Sequence, residues 1–259
     1  MIFQPDLLKG QVAFITGGGT GLGFAMATAM ARCGADVAIA SRKPKNLDPA
    51  AELLGRHGTR VLAVPANVRE PDSVRAAVDR TVNELGRIDI LVNNAAGNFY
   101  APSGQLSANG WRAVVETDLY GTFFCSQAVH PVMAKQGGGR IISISMTLHY
   151  QGWPQMAHAT AAKAGVDALT KTLALEWSKD KITVNVIAPG PIPTEGASKA
   201  FAVGGVAIEE ALSRHIPLGT LGTPEDIANM AVYLAGPGGS WITGAIFVVD
   251  GGSSLAKAF

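Results

Sequence analysis

Cysteine is close to absent: the 259 residues hold two, Cys33 and Cys125, with no CxxC pair and no neighbouring histidine. That argues against a disulfide framework or a thiolate metal site and leaves both as buried packing thiols in helices rich in small or aromatic residues. The five histidines show no HExxH or similar spacing, so no metal is expected. Charge is scarce as well, at 16%, and balanced, with 21 Lys and Arg against 20 Asp and Glu. Nothing in that balance pulls the chain toward nucleic acid or an anionic membrane. No apolar run reaches bilayer length, the first six residues lack a basic n-region and an apolar h-region, and residues 256–259 are not a Ser-Lys-Leu address. The expectation is a soluble cytoplasmic protein with no membrane or nucleic-acid partner. No Pro/Ser linker, repeat or low-complexity stretch divides the chain, so residues 1–259 read as one domain.

What is plentiful is apolar side chain, 47%, and glycine, 31 residues. With so little charge for its surface, the chain is expected to form homo-oligomers. Five of the glycines fall in seven positions, 17–23, between the apolar run Val12–Thr16 and a second one from Phe24 to Arg32. Glycines let the backbone turn tightly and approach a ligand closely, and a helix behind them aims unpaired N–H groups at an anion. With a second strand at Asp36–Ala40, this is a βαβ unit with a diphosphate seat. The second strand runs into Ser41, Arg42 and Lys43 where an NAD site wants an acidic residue. A hydroxyl and two cations suit a 2′-phosphate, so NADP(H) is the expected cofactor.

Further on, Asp48 and Pro49 read as the start of a helix stopped by Gly58, and Val61–Pro65 as a strand. Asn67 follows that strand; its amide suits an adenine edge and equally a turn. Val74, Val78 and Val82 make the apolar stripe of a helix over 72–85. A strand over 88–92 leads into Asn93 and Asn94, whose amides can hold a turn, and small residues to Gly97 that can lie against a flat ligand. A long helix over 108–136 carries Asp118 within an apolar stretch, on a wet face or buried with a purpose. Strand 140–145 carries Ser143 and Ser145 at its end, and one of them is expected to face the crevice. A helix over 157–178 carries Lys163, strand 182–188 ends at Pro189, residues 191–216 suit a lid, Thr223 to Asp226 cap a last helix to 236, and 245–249 is a final strand. Strands alternating with helices mean an α/β fold: a doubly wound parallel sheet of about seven strands with helices on both faces, the Rossmann arrangement.

Taken together, Thr16, Gly17, Gly21 and Gly23, then Asn93-Asn94-Ala-Ala-Gly97, Lys163, Pro189-Gly190 and Val249-Asp250-Gly251-Gly252 resemble the short-chain dehydrogenase/reductase family over nearly the whole chain. The resemblance implies a dinucleotide held by Gly17, Thr20, Gly21, Leu22, Gly23, Ser41, Arg42, Lys43, Asn67, Val68, Asn94, Ala95, Ala96, Gly97, Lys163, Pro189, Gly190 and Ile192. It also implies a homotetramer. That family places a Tyr four residues before the Lys, a Ser thirteen before the Tyr and an Asn in the long helix; here those positions are Ala159, Met146 and Asp118. Ala159 shares a helix face with Lys163 and leaves no phenol beside it. Ordinary ketone chemistry loses an acid/base group that typically contributes about 10²–10⁴ in rate.

One subgroup relaxes that requirement. The chain is similar to the 2,4-dienoyl-CoA reductases, the peroxisomal kind above all, in Ser41 to Lys43, in Asn93 to Phe99, in His158 to Lys163, in Ala188 to Ile192, in Glu195-Gly196 and in Ser240 to Gly244. The resemblance implies NADPH-dependent reduction of an acyl-CoA substrate, with Asp118 acting through a water and Lys163 holding the nicotinamide ribose. Asn98, Phe99 and Tyr150 are expected at the substrate; Tyr150, His149 and His158 are rival proton donors. Trp153 and Phe201 suit an acyl channel, and Lys199, Arg214 and His215 suit CoA phosphates. Two alternatives stand beside it: a trans-2-enoyl-CoA reductase, and a degenerate member that binds NADP(H) and catalyses nothing.

Overall fold

A computed structural model describes residues 2–194 and 213–256. Seven strands, β1 Val12–Thr16, β2 Asp36–Ser41, β3 Val61–Pro65, β4 Ile90–Asn93, β5 Gly139–Ile144, β6 Ile182–Pro189 and β7 Ile246–Val249, form one sheet. Its order is β3-β2-β1-β4-β5-β6-β7, parallel throughout. Parallel strands covered on both faces read as apolar runs, and every residue of β1 and of β4 is buried. Along β1 the side chains alternate between two cores: Ala13 and Ile15 join one, Val12 and Phe14 the other.

The first core is closed by α1 Gly21–Arg32, α2 Pro44–Gly55 and a last helix, α7, Pro224–Ala235. The second is closed by α3 Pro71–Leu85, α5 Gly121–Gln136 and α6 Ala157–Trp177, while a shorter α4, Ala108–Val115, runs into α5. Cys33 and Cys125 are buried thiols as expected, and burial pushes Cys125 up to about 12. The cap on α7 is reciprocal: the Asp226 N–H donates to Thr223 Oγ1 at 3.3 Å and the Thr223 N–H to Asp226 Oδ2 at 2.7 Å.

Two element readings change. Helix α2 starts at Pro44, not at Asp48, so Pro49 lies inside it. Pro44 takes the first helical position after Lys43, and Pro49 sits early enough that it removes one bond near the helix start instead of breaking the helix. The expected helix over 108–136 runs through a π-helical segment, Glu116–Tyr120, between α4 and α5. Most of the proposed lid at 191–216, with Glu195, Gly196, Lys199 and Phe201, lies outside the described residues.

Candidate active site

The sheet's order reverses beside β1, whose neighbours are β2 and β4, and the carboxyl ends of these strands open onto a cleft of about 600 Å³. A crevice at this switch point is where doubly wound sheets bind ligands. Its nucleotide end is built from backbone. Gly17 has φ +66°, donates its N–H to the Ala40 carbonyl at 2.7 Å, and would put a Cβ 2.8 Å from Asn94 Nδ2. A Cβ on Gly23 would come within 2.3 Å of the Gly17 carbonyl oxygen, so only glycine lets α1 start this close to the turn.

The paired asparagines divide their work. Asn94 donates its amide to the Thr16 and Gly17 carbonyls at 2.9 and 3.3 Å, while Thr16 Oγ1 accepts the Asn94 and Ala95 N–H groups, both at 3.0 Å. Asn93 is buried and donates to Ser126 and Ser143. These bonds tie the β1 turn to the β4 turn and keep both glycine-rich segments in place. The resulting cradle, whose turn has no room for a Cβ at Gly17 or Gly23, fits a dinucleotide. At its mouth stand Ser41, Arg42 and Lys43, and neither cation makes an ion pair among the described residues.

At the other end of the cleft the work passes to side chains. Asp118 sits in the π segment, 2% exposed, and Oδ1 accepts the Gly97 N–H at 2.9 Å. Its Oδ2 lies 3.7 Å from Lys163 Nζ, too far for a hydrogen bond, and Nζ instead donates to the Ile144 carbonyl at 2.7 Å. Burial holds the Asp118 carboxyl above the usual carboxylate range, although the Lys163 charge and the Gly97 N–H both oppose the shift. Of the two alternatives for this residue, the buried one holds. π-Segments inside α-helices are frequent at functional sites, and in this one Asp118 lines the cleft.

Most of the expected cofactor residues meet here: Gly17, Thr20, Leu22, Ser41, Arg42, Lys43, Val68, Asn94, Ala95, Ala96, Gly97, Lys163, Pro189, Gly190 and Ile192 line the cleft, as do Asp118 and Asn98. Gly21 and Gly23 lie behind it and act through backbone geometry. Asn67 stands between the wall residues Ala66 and Val68; its amide donates to Glu70 at 2.6 Å and its oxygen accepts the Arg69 N–H at 3.3 Å, the bonds of a turn. Phe99 and Tyr150 also stand outside the lining. Phe99 meets the His158 ring edge-on at 4.6 Å, and Tyr150 leans on His149 at 4.2 Å with its phenol pushed up to about 12, first by burial and then by Asp167 and Asp250.

Of the two serines on β5 and beyond, Ser145 faces the cleft and Ser143 the interior. His158 is fully buried and its Nδ1 accepts the Ala159 N–H at 2.8 Å, a packing role. Sequence reasoning missed Tyr100, Met146, Leu148, Met156 and Thr194 as wall residues. Tyr100 is one residue from Phe99, and the methionines carry no local signal, because a loop has no periodicity to show which way its side chains turn.

A family model described as enoyl-(acyl carrier protein) reductase matches residues 17–254. The chain is 44% identical over 260 residues to a peroxisomal 2,4-dienoyl-CoA reductase, (3E)-enoyl-CoA-producing, of Danio rerio, covering 99% of this chain and 86% of that one. It is 40% identical over 255 residues to a Bacillus subtilis (strain 168) protein named "Probable 2,4-dienoyl-CoA reductase", (2E)-enoyl-CoA-producing, covering 96% and 98%. Among solved structures it is similar to a short-chain type dehydrogenase/reductase from Mycobacterium marinum, with TM-score 0.88, 35% identity and coverage of 96% and 98%. A 7α-hydroxysteroid dehydrogenase complexed with NADH and 7-oxo glycochenodeoxycholic acid gives TM-score 0.90 at 32% identity, covering 97% and 98%. With the switch-point cleft, the glycine cradle and these matches over almost its full length, the chain belongs to the short-chain dehydrogenase/reductase family.

Proposed function

We propose that this protein reduces 2,4-dienoyl-CoA thioesters with NADPH. The observation that carries the reading is the buried pair Asp118 and Lys163 beside Ala159, in a cleft whose adjoining wall is Met146, Leu148 and Met156. An alanine where the family has its phenol suits a substrate that needs no strong acid at the carbon receiving hydride, and an apolar wall suits a flat conjugated chain. The names of the relatives, dienoyl-CoA reductases of animal and bacterial origin, point the same way.

When bound, NADPH would supply the hydride that the far end of the conjugated system accepts. Lys163, fixed by the Ile144 carbonyl, holds the ribose and presents a positive field to the charge that spreads toward the thioester oxygen. Asp118 keeps one oxygen on the Gly97 N–H and leaves the other for the water that protonates the substrate carbon. A carboxyl held above its usual range is suited to holding that proton. Arg42, Lys43 and the Ser41 hydroxyl take the 2′-phosphate, which favours NADPH over NADH; the neighbour solved with NADH supports only a nicotinamide dinucleotide. Asn98 faces the acyl chain.

A homotetramer is the expected assembly. Leu175 on α6 is 81% exposed and Trp241 before β7 is 97% exposed, large apolar side chains that a further copy would cover. Light scattering on the pure protein tests this, and fractionation tests the cytoplasmic location.

The deciding experiment incubates the protein with NADPH and 2,4-hexadienoyl-CoA. Consumption of both supports the reading; silence across chain lengths, with NADPH still bound, turns it toward the degenerate member. Faster turnover of crotonyl-CoA would favour the enoyl thioester reading, to which the family model's description lends its name. NMR of the product places its double bond, on which the two relatives' names differ.

A further inference from the structure

The loop between β5 and α6 supplies the apolar wall of the cleft, and its residues alternate. Met146 and Leu148 line the cleft, whereas Thr147 and His149 turn back into the body of the protein. Two anchors hold the first part of the loop to β6: the Ser145 N–H donates to the Ile187 carbonyl at 2.8 Å and the Thr147 N–H to the Pro189 carbonyl at 3.2 Å. The next anchor is a pair of titratable side chains. His149 Nε2 lies 2.8 Å from Asp167 Oδ2, with side-chain exposures of 7% and 9%. Beyond it, Gln151 donates to the Ser254 carbonyl.

Asp167 stands four residues after Lys163 on α6, hence on the same helix face. One turn of helix therefore carries both the cation of the catalytic pair and the hold on the acyl wall. The pair is an expensive way to fasten a loop. His149 Nδ1 and Asp167 Oδ1 are both buried without a partner among the described residues, and replacing such a pair by well-packed apolar side chains is often neutral or stabilising. What an apolar contact lacks is direction: a hydrogen bond of 2.8 Å fixes a distance and an angle. The charged or titratable groups around it are Tyr150, whose ring leans on His149, and Asp250, which with Asp167 acts on the Tyr150 phenol.

We propose that the His149–Asp167 pair is a positioning clasp that sets the spacing between the Met146–Leu148 wall and Lys163, and so determines which acyl chains the cleft accepts. The inference rests on the acyl-thioester reading of the cleft. His149→Ala is expected to raise KM for 2,4-hexadienoyl-CoA about tenfold with kcat and NADPH Kd within about twofold, because a wall displaced by a fraction of an ångström binds the chain less well. Discrimination between hexadienoyl and decadienoyl substrates narrows in the same variant. Asp167→Leu behaves alike, the double variant is no worse than either single one, and His149→Gln, which keeps an N–H for Asp167, recovers most of the lost KM.

An unchanged KM in folded His149→Ala and Asp167→Leu, or the same loss in His149→Gln, overturns the clasp. Amide hydrogen exchange judges it independently of turnover. Protection over residues 148–151 is expected to fall in His149→Ala while that of β1 and β2 stays, and unchanged protection there also overturns it. A wild-type protein inert toward every acyl-CoA would sink the functional reading and leave the exchange result to decide the clasp alone.

Discussion

The two ends of the cleft hold their ligands by different means. The nucleotide end, from β1 to β2, uses main chain: turns that admit no Cβ, N–H groups at the start of a helix, and asparagine amides spent on carbonyls. The acyl end uses a few buried side chains, Asp118 and Lys163, set against methionine and leucine. Main chain serves any dinucleotide equally, and its geometry tolerates no substitution. Side chains can be exchanged one at a time, and Ala159 and Asp118 are such exchanges relative to the family pattern. A fold of this kind keeps its cofactor and changes its chemistry by altering residues at one end only.

Four experiments test how separate the two ends are. The largest effect is expected from Asp118→Ala, which should lower kcat by about 10²–10⁴ while NADPH Kd moves by no more than about twofold. Steady-state kinetics with a binding titration checks it, and a matching loss of NADPH affinity would mean the ends are not independent. Replacing Arg42 and Lys43 by alanine should do the reverse, weakening NADPH about 10- to 100-fold with NADH affinity and kcat held, since charge-assisted bonds to the phosphate are lost. Equal losses for both nucleotides would remove the 2′-phosphate assignment.

Gly23→Ala is expected to weaken both nucleotides about tenfold and to destabilise the fold by about 1–3 kcal/mol, because the new Cβ meets main chain that cannot step aside. Denaturant titration reads the second number. The smallest effect concerns pH. Asp118 has an ordinary value of 3.8 and a raised one in the folded state, so between the two the folded protein holds the extra proton. Its contribution is present in full below 3.8 and is lost as pH rises through the folded value. Asp118→Asn should remove that loss, so its Tm relative to wild type should climb by a few degrees from acid to neutral pH. A difference that is flat with pH would show that Lys163 compensates the carboxylate fully.

The same contrast explains what was legible. Gly17, Gly21 and Gly23 with their flanking apolar runs announce the nucleotide end because main-chain binding needs residues adjacent in sequence, and Arg42 with Lys43 stand out as two neighbouring cations at the end of a strand. The Thr223–Asp226 cap was equally plain, being a local device. Pro49 misled because Pro44, without an obvious capping residue before it, opens α2 instead. Asn67 had two readings, and its bonds to Arg69 and Glu70 show how the turn engages it.

By itself the sequence determined the alternation of strands and helices, the glycine cradle, the two cations after β2 and the missing phenol at Ala159, all of them properties of short stretches. Only the tertiary structure decided that Asp118 is buried, that it lies 3.7 Å from Lys163, that Ser145 and not Ser143 meets the cleft, and that His149 reaches Asp167. Each of these depends on atoms from segments far apart in the chain, and desolvation and hydrogen bonding act on distances in space.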